Sequence, residues 1–224
     1  MSLFVTAAED GSLNLNSAGY TAVIILILLL VFIACFFSSP KERAKNGTRT
    51  LVFSAMAMAL AYVTSYIKLI HMPMGGAVTL FSMLFITLVG YWYGLRTGLM
   101  VAFSYGLLQF VTGPYILSIP QVLCDYVLAF GALGLSGVFR NFKHGLVEGY
   151  ILGVFGRFVF SFLSGFIFFA DYAPPEMNPV VYSFLYNAAY LFAEAALTAA
   201  VLLVPAVERG LKRVRNLAVG NGEA

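Results

Sequence analysis

Charged residues are scarce in this sequence. Of its 224 residues, 10% are Asp, Glu, Lys or Arg and 61% are hydrophobic, whereas a soluble globular domain carries roughly 25% charged residues. Residues 11–40, 69–95 and 97–124 contain no charged side chain. A membrane-spanning helix needs about 20 mostly apolar residues, and these runs are continuous rather than alternating, which disfavours a β-barrel. The composition excludes a soluble enzyme, a nucleic-acid-binding protein and a disulfide-stapled secreted domain. It indicates an all-α integral membrane protein.

Cysteine and histidine are also rare, with two residues of each type. Cys35 and Cys124 lie in apolar runs without a second thiol or a histidine at metal-ligand spacing, so we interpret them as small hydrophobic residues. The sequence contains no Gly-x-x-x-x-Gly-Lys-Ser/Thr loop, no His-Glu-x-x-His and no Gly-x-Ser-x-Gly motif. We therefore expect no cofactor, no metal, no catalytic residue and no ATP hydrolysis by the chain itself.

Seven apolar segments are candidates for membrane spans, and turn residues such as Gly, Pro and Asn separate them. The segments are residues 20–37, 50–70, 77–93, 97–112, 119–139, 146–169 and 179–205. A basic hydrophilic linker at residues 38–48 follows the first segment, so that helix looks like an addition to a six-helix core. We divide the chain into an N-terminal extension (residues 1–49) with one transmembrane helix, a six-helix core (50–205) and a basic tail (206–224).

Basic residues orient the segments in the membrane. If the seven segments alternate in direction, 11 of the 13 basic residues fall on one side. The 11 are Lys41, Arg43, Lys45, Arg49, Arg96, Arg140, Lys143, Arg209, Lys212, Arg213 and Arg215. Lys68 falls on the other side and Arg157 inside a segment. Because cytoplasmic loops carry the excess of Lys and Arg, we predict a multi-pass protein of the cell membrane with its N-terminus outside and its C-terminus in the cytoplasm.

Polar residues inside the segments indicate a binding site, because burying them in lipid is costly. With a rise of ~1.5 Å per residue, Asp125 lies about 9 Å inside its segment, and Ser161 and Asn187 lie about 12 Å from the outer ends of theirs. Aromatic residues surround them: Tyr115, Tyr126, Tyr182 and Tyr186. An acid among aromatic rings suits a small cationic heteroaromatic ligand, because the rings supply stacking and cation–π attraction. The alternative is that Asp125 is merely paired and that the tyrosines anchor the chain at the membrane interface.

Arg157 and Glu194 lie deeper, about 18 Å and 22 Å along their segments. At these depths they can face each other near the midplane. We expect them to form a buried ion pair, and a proton relay is the alternative.

The segment at residues 50–70 carries alanines at a spacing typical of helix contacts. Ala57 and Ala61 share one helical face, and Ala55 and Ala59 share a neighbouring face. Small residues four apart let another helix approach closely. That helix could belong to a partner subunit or to the same bundle.

Seven short motifs between residues 50 and 205 resemble a known family. They are residues 74–83 (MGGAVTLFSM), 105–109 (YGLLQ), 113–115 (GPY), 125–134 (DYVLAFGALG), 157–158 (RF), 168–174 (FFADYAP) and 177–187 (MNPVVYSFLYN). In this order they resemble the thiamine-specific S component, which is the substrate-binding membrane subunit of energy-coupling factor transporters.

The resemblance implies the S-component fold and high-affinity capture of thiamine on the extracellular side for ATP-driven uptake. It places ligand contacts at Asp125, Tyr126, Tyr115, Tyr182 and Asn187, with Ser161 where the family tends to have histidine. It further implies a gate at Gly75 and Gly76 and a docking face at Ala57 and Ala61. The implied partners are a transmembrane T component and two ABC ATPase subunits.

Two other functions stay open from the residues. The replacement of the family's histidine by Ser161 leaves a thiamine precursor, such as the hydroxymethyl-pyrimidine, or another vitamin as the ligand of an S component. A stand-alone secondary transporter driven by an ion gradient would use Arg157, Glu194 or Glu148 in its relay. Such carriers often contain paired internal repeats, and the two halves of this sequence show no convincing one.

Overall fold

The computed structural model describes residues 40–220 and short pieces of the N-terminal extension. The pieces are the paired strands Val5–Ala7 (β1) and Leu13–Leu15 (β2) and the single residues Ser17, Ala18, Thr21 and Ile25. Apart from Thr21 and Ile25, the predicted first span at residues 20–37 lies outside the described residues.

Seven helices of 12 residues or more carry this part of the chain. They are α1 (Pro40–Ser65), α2 (Ser82–Tyr93), α3 (Leu95–Thr112), α4 (Ile119–Phe139), α5 (Gly145–Phe168), α6 (Pro179–Leu202) and α7 (Pro205–Val219). Between α1 and α2, strand β3 (Lys68–His71) pairs antiparallel with β4 (Ala77–Thr79), with an irregularity in register between Lys68 and Ile70. Short 3₁₀ turns lie at Pro73–Gly75 and Ala170–Tyr172.

Three of the described helices are long and apolar enough to cross a membrane. These are α4, α5 and α6, with mean hydropathies of 1.8, 1.9 and 1.4. Helix α2 is apolar but has only 12 residues. The predicted class of an all-α membrane protein is therefore confirmed.

Helix α1 joins the predicted linker to the predicted second span. It begins at Pro40, ten residues before the predicted start, because proline suits the first turn of a helix and the following Lys, Glu, Arg and Ala are good helix formers. It ends at Ser65 rather than at residue 70. The predicted end is displaced because residues 68–71 pair as strand β3 with β4.

Glycines allow α4 to lie in backbone contact with α2 and α3. A Cβ on Gly98 would lie 2.8 Å from the carbonyl oxygen of Gly134, and a Cβ on Gly134 would lie 2.5 Å from the carbonyl carbon of Gly98. Beside this contact, the Ser136 hydroxyl donates to the Thr87 carbonyl at 2.9 Å. Small residues of this kind are the usual means of close helix association in membranes. The contact fixes α4, the helix that carries Asp125.

The alanine pair expected to contact a partner is buried inside the helix bundle. Ala57 is 3% exposed and Ala61 is 0% exposed, and the Tyr105 hydroxyl on α3 donates to the Ala61 carbonyl at 3.1 Å. The expected docking face at Ala57 and Ala61 is therefore corrected to packing within the bundle, since a partner cannot reach side chains that the chain itself covers. The neighbouring pair, Ala55 and Ala59, is exposed.

We expect Gly134→Ala to destabilise the protein, because the new methyl group would meet the backbone of α3. Overpacking of a well-packed contact costs typically about 1–3 kcal/mol. The measurement is the midpoint of thermal unfolding in detergent. Gly210→Ala is the matched control, because nothing lies within 4 Å of its added Cβ and alanine favours a helix. Equal midpoints for the two variants would contradict the backbone contact.

Candidate functional site

A cavity of about 320 Å³ lies among α3, α4, α5, α6 and the loop at residues 72–79. Its volume falls within the range of about 300–1,000 Å³ that is usual for small-molecule sites. All six residues expected to contact the ligand line it: Tyr115, Asp125, Tyr126, Ser161, Tyr182 and Asn187. Sequence reasoning thus found side chains that the fold brings together, and their role as ligand contacts stays a prediction.

A buried glutamine orients the carboxylate of Asp125. Gln121 is 1% exposed, and its Nε2 donates to Asp125 Oδ2 at 2.6 Å and to the Tyr115 carbonyl at 3.2 Å. Its Oε1 accepts from the Leu117 backbone N–H at 3.1 Å. The sequence analysis missed Gln121, although its position four residues before Asp125 on one helical face was a usable signal.

Asp125 forms no ion pair with any described residue. Among the described side chains, an ion pair joins Lys212 and Glu208 on α7, and neither residue lines the cavity. The alternative that Asp125 is merely paired with a base is therefore not supported. Its carboxylate is held by an uncharged amide instead.

Asp125 and Tyr126 lie in a π-helical turn at Leu123–Leu128. Such single turns inserted into α-helices occur frequently at functional sites. Tyr126 also fixes the preceding loop, because its hydroxyl accepts from the Tyr115 backbone N–H at 2.9 Å and donates to the Gly113 carbonyl at 3.4 Å. Both successive side chains line the cavity as a result.

Aromatic rings form two walls of the cavity. On one side, the rings of Tyr115 and Phe169 stack with centroids 5.8 Å apart and an interplanar angle of 25°, and the hydroxyls of Tyr115 and Tyr172 share a hydrogen bond of 2.8 Å. On the other side, Tyr182 and Tyr186 have centroids 6.0 Å apart. Paired ring faces of this kind can stack against a flat ligand.

Neighbours on α6 hold the amide of Asn187. This side chain is 4% exposed. Its Nδ2 donates to the Ser183 carbonyl at 2.9 Å, and its Oδ1 accepts from the Tyr190 hydroxyl at 3.1 Å. Ser161 on α5 is also buried, at 9% exposure. The cavity thus contains an amide of fixed orientation at Asn187 and a small hydroxyl at Ser161.

The predicted ion pair between Arg157 and Glu194 is wrong. The Glu194 carboxylate accepts from the backbone N–H and the hydroxyl of Thr79 at 3.0 and 2.6 Å, from the Met83 backbone N–H at 3.2 Å and from the Ser82 hydroxyl at 3.3 Å. Two of these donor residues begin α2, where unpaired N–H groups and the helix dipole favour a negative charge. Glu194 therefore caps α2 from across the bundle.

Arg157 is left without an acid partner among the described residues. Its guanidinium carbon lies 4.1 Å from the centroid of the Phe130 ring, a cation–π contact, and its Nε is buried without a hydrogen-bond partner in this part of the chain. Arg157 and Glu194 both line the cavity. The depth count had placed them at the midplane but had not assigned them to the site.

The loop at residues 72–79 covers the cavity and is fastened to α6. The Tyr186 hydroxyl accepts from the Gly76 backbone N–H at 3.0 Å and donates to the Pro73 carbonyl. A Cβ on Gly76 would lie 2.5 Å from that hydroxyl oxygen, so glycine permits the contact. Gly75 has a φ of 91°, which also favours glycine. The expected gate residues thus lie over the cavity, and their movement stays a prediction.

We expect Tyr186→Phe to loosen this loop, because it removes both hydrogen bonds to residues 73 and 76. One such bond contributes about 0.5–1.5 kcal/mol, so amide exchange at residues 74–77 should rise roughly 2- to 10-fold. Hydrogen exchange with mass spectrometry of the detergent-solubilised protein measures this. Tyr182→Phe alters the neighbouring ring and keeps the Tyr186 bonds; equal exchange in both variants would refute the role of Tyr186.

Comparisons with known proteins identify the family. The model of the family described as "Thiamine transporter protein (Thia_YuaJ)" matches residues 51–213. The thiamine transporter ThiT of Bacillus subtilis is 30% identical over an alignment of 165 positions, and the match covers 67% of this chain and 84% of the relative. ThiT of Lacticaseibacillus paracasei is 26% identical over an alignment of 171 positions, and the match covers 68% of this chain and 82% of that relative.

A solved structure shows the same fold. The structure of ThiT from Listeria monocytogenes aligns with a TM-score of 0.61 at 24% identity, and the alignment covers 75% of this chain and 96% of that protein. The family resemblance drawn from the sequence motifs is thus confirmed by the family model and by the curated relatives. This chain belongs to the thiamine transporter protein (Thia_YuaJ) family.

Proposed function

We propose that this chain is the thiamine-binding membrane subunit of an energy-coupling factor importer. The observation that carries the proposal is the cavity, in which Asp125 lies among aromatic walls and forms no ion pair with any described residue. The relatives named thiamine transporter support the choice of ligand. Uptake coupled to an ion gradient gains no support from the Arg157–Glu194 pair, because the pair does not form.

Thiamine matches the chemistry of the cavity. It is a cation with two flat heteroaromatic rings, one of which carries an exocyclic amine. A carboxylate offers counter-charge and an acceptor for the amine, and hydrogen bonds to a charged group are about twice as strong as neutral ones. The rings of Tyr115 and Tyr182 offer faces for stacking and cation–π attraction.

Asp125 is the better candidate of the two cavity carboxylates for the ligand. Glu194 already accepts four hydrogen bonds from the start of α2 and from β4, and these donors satisfy its charge. Asp125 accepts a hydrogen bond from the Gln121 side chain, which orients the carboxylate. We therefore assign the contact with the ligand amine to Asp125.

The direction of transport follows from the distribution of charge. The loops at residues 72–79 and 113–115 border the cavity, and the alternation of segments places both opposite the basic clusters. Under the positive-inside rule, the cavity then receives the vitamin from outside the cell. Because the sequence contains no nucleotide-binding loop, the energy would come from a transmembrane T component and two ATPase subunits.

The exposed face of α1 is the proposed contact with the T component. It presents Ala55 and Ala59, four residues apart, so a neighbouring helix can approach closely. Large apolar side chains flank the pair: Leu51, Val52, Met56, Leu60 and Val63. This face replaces the covered pair Ala57 and Ala61 as the candidate interface.

We expect thiamine to bind one-to-one to the purified chain and Asp125→Asn to weaken the binding. Loss of a hydrogen bond to a charged group costs roughly 1.5–3 kcal/mol, so the Kd should rise about 10- to 100-fold. Calorimetric titration measures it. Asp171→Asn is the control, because it makes the same change at an exposed aspartate outside the cavity lining.

The same titration separates the alternative ligands. Absence of thiamine binding by a well-folded sample would refute thiamine as the ligand. A hydroxymethyl-pyrimidine that binds as tightly as thiamine would instead indicate an S component for the precursor, consistent with the small side chain of Ser161. An equal loss of affinity in Asp125→Asn and Asp171→Asn would contradict the assignment of Asp125.

We expect Ala55→Leu/Ala59→Leu to reduce co-purification with the T component and the ATPases about fivefold or more, because bulk at these positions prevents close approach of a helix. Thiamine binding by the isolated chain should not change. Ala196→Leu/Ala200→Leu is the matched control, since these alanines are also exposed and four apart, on α6. A similar loss in both double variants would rule out a specific contact at α1.

A further inference from the structure

Helix α7 follows the last spanning helix and lies at the end of the bundle that carries the basic clusters. It begins at Pro205, and two residues separate it from the end of α6 at Leu202. The Tyr93 hydroxyl, in the last residue of α2, donates to the Ala218 carbonyl at 3.1 Å. The matched family region ends at residue 213, so the last part of α7 extends beyond it. Helix α7 therefore packs at the end of α2, after the last spanning helix.

One face of α7 is fastened to the bundle. Arg215 donates from Nη1 to the Tyr91 hydroxyl at 2.9 Å and from Nη2 to the Arg140 carbonyl at 3.0 Å, and its guanidinium carbon lies 4.4 Å from the Tyr91 ring centroid. Ala218 is 0% exposed. These contacts fix the rotation of the helix about its own axis, and with it the direction of every other side chain.

An apolar strip beside the packed face is exposed. Leu217 is 61% exposed and Val214 36% exposed. The strip continues into the turn before the helix, where Leu203 is 79% exposed and Val204 45% exposed. Because Leu203 directly follows the spanning helix α6, this exposed apolar surface is continuous with the surface that faces lipid.

Two arginines border the apolar strip on the side away from the bundle. Arg209 and Arg213 are exposed and four residues apart, and Leu217 is the next residue at this spacing, so the three follow one another around the helix in steps of about 40°. Lys212 is exposed as well, but its Nζ lies 2.7 Å from Glu208 Oε1. The uncompensated charge next to the strip is therefore that of the two arginines.

We propose that α7 is an interfacial helix that places Leu217 and Val214 among the acyl chains and binds anionic lipid headgroups through Arg209 and Arg213. An amphipathic helix with basic residues beside its apolar face lies in the plane of the interface. Anionic lipids attract each basic residue near the surface. The proposal does not depend on thiamine binding.

Spin labels on the full chain in vesicles test the depth of the helix. In a Cys35→Ala/Cys124→Ala background, a label replaces either Leu217 or, on the polar side, Lys212. The vesicles contain phosphatidylcholine alone or with 30% phosphatidylglycerol. We expect the Leu217 label to collide more with oxygen than with a water-soluble nickel complex, and the Lys212 label to show the reverse. Leu217 should lie deeper in the anionic vesicles.

Charge variants test the headgroup contact. Arg209→Gln/Arg213→Gln should remove most of the deepening of the Leu217 label that phosphatidylglycerol causes. Arg96→Gln/Lys143→Gln removes two exposed charges from the same end of the chain and should retain that deepening. The proposal is overturned if both double variants lose it equally, since net charge would then explain the effect. It is also overturned if the Leu217 label favours the nickel complex in both vesicle types, which would indicate a surface for a protein partner.

Discussion

The capping of α2 by the Glu194 carboxylate holds together the part of the structure on which the cavity depends. One side chain on α6 accepts hydrogen bonds from the end of β4 and from the first residues of α2. In hydrocarbon, backbone N–H groups must be satisfied inside the protein, and an ionised carboxylate needs several donors to be buried. The Glu194 carboxylate satisfies the backbone N–H groups of Thr79 and Met83, and these groups in turn supply donors to the buried carboxylate. The result joins α2, α6 and the end of the covering loop at one point.

This arrangement separates the roles of three charged residues that line the cavity: Asp125, Arg157 and Glu194. Because Glu194 is satisfied by a helix terminus, it does not neutralise Arg157, which lies over Phe130 instead. Asp125 is likewise held by the neutral amide of Gln121. The cavity thus keeps an oriented acceptor and a separate cationic group, which suits a ligand with both a basic amine and acceptor atoms.

The sequence predicted which residues line the cavity better than it predicted which groups those residues contact. Counting residues along a span gives the depth of a side chain, so Asp125, Ser161 and Asn187 could be placed at one level, where they line the cavity. Depth does not give the direction around the helix axis, and the donors that satisfy Glu194 are mostly backbone groups, which no residue pattern reveals. The alanines show the same limit. Their spacing showed which pairs share a face, whereas only the packing of the folded bundle shows that Ala57 and Ala61 are buried.

The contacts divide the site into a fixed part and a cover. Gln121 and Asp125 are four residues apart, as are Ser183 and Asn187, so the bonds that orient the binding groups run along single helices. The cover is held differently: Glu194 fixes its end at Thr79, and Tyr186 fixes its tip at residues 73 and 76. Breaking the bonds of Tyr186 would therefore free the tip while the end stays anchored. We therefore expect the cavity to open at this side without disturbing the carboxylate of Asp125 and the amide of Asn187.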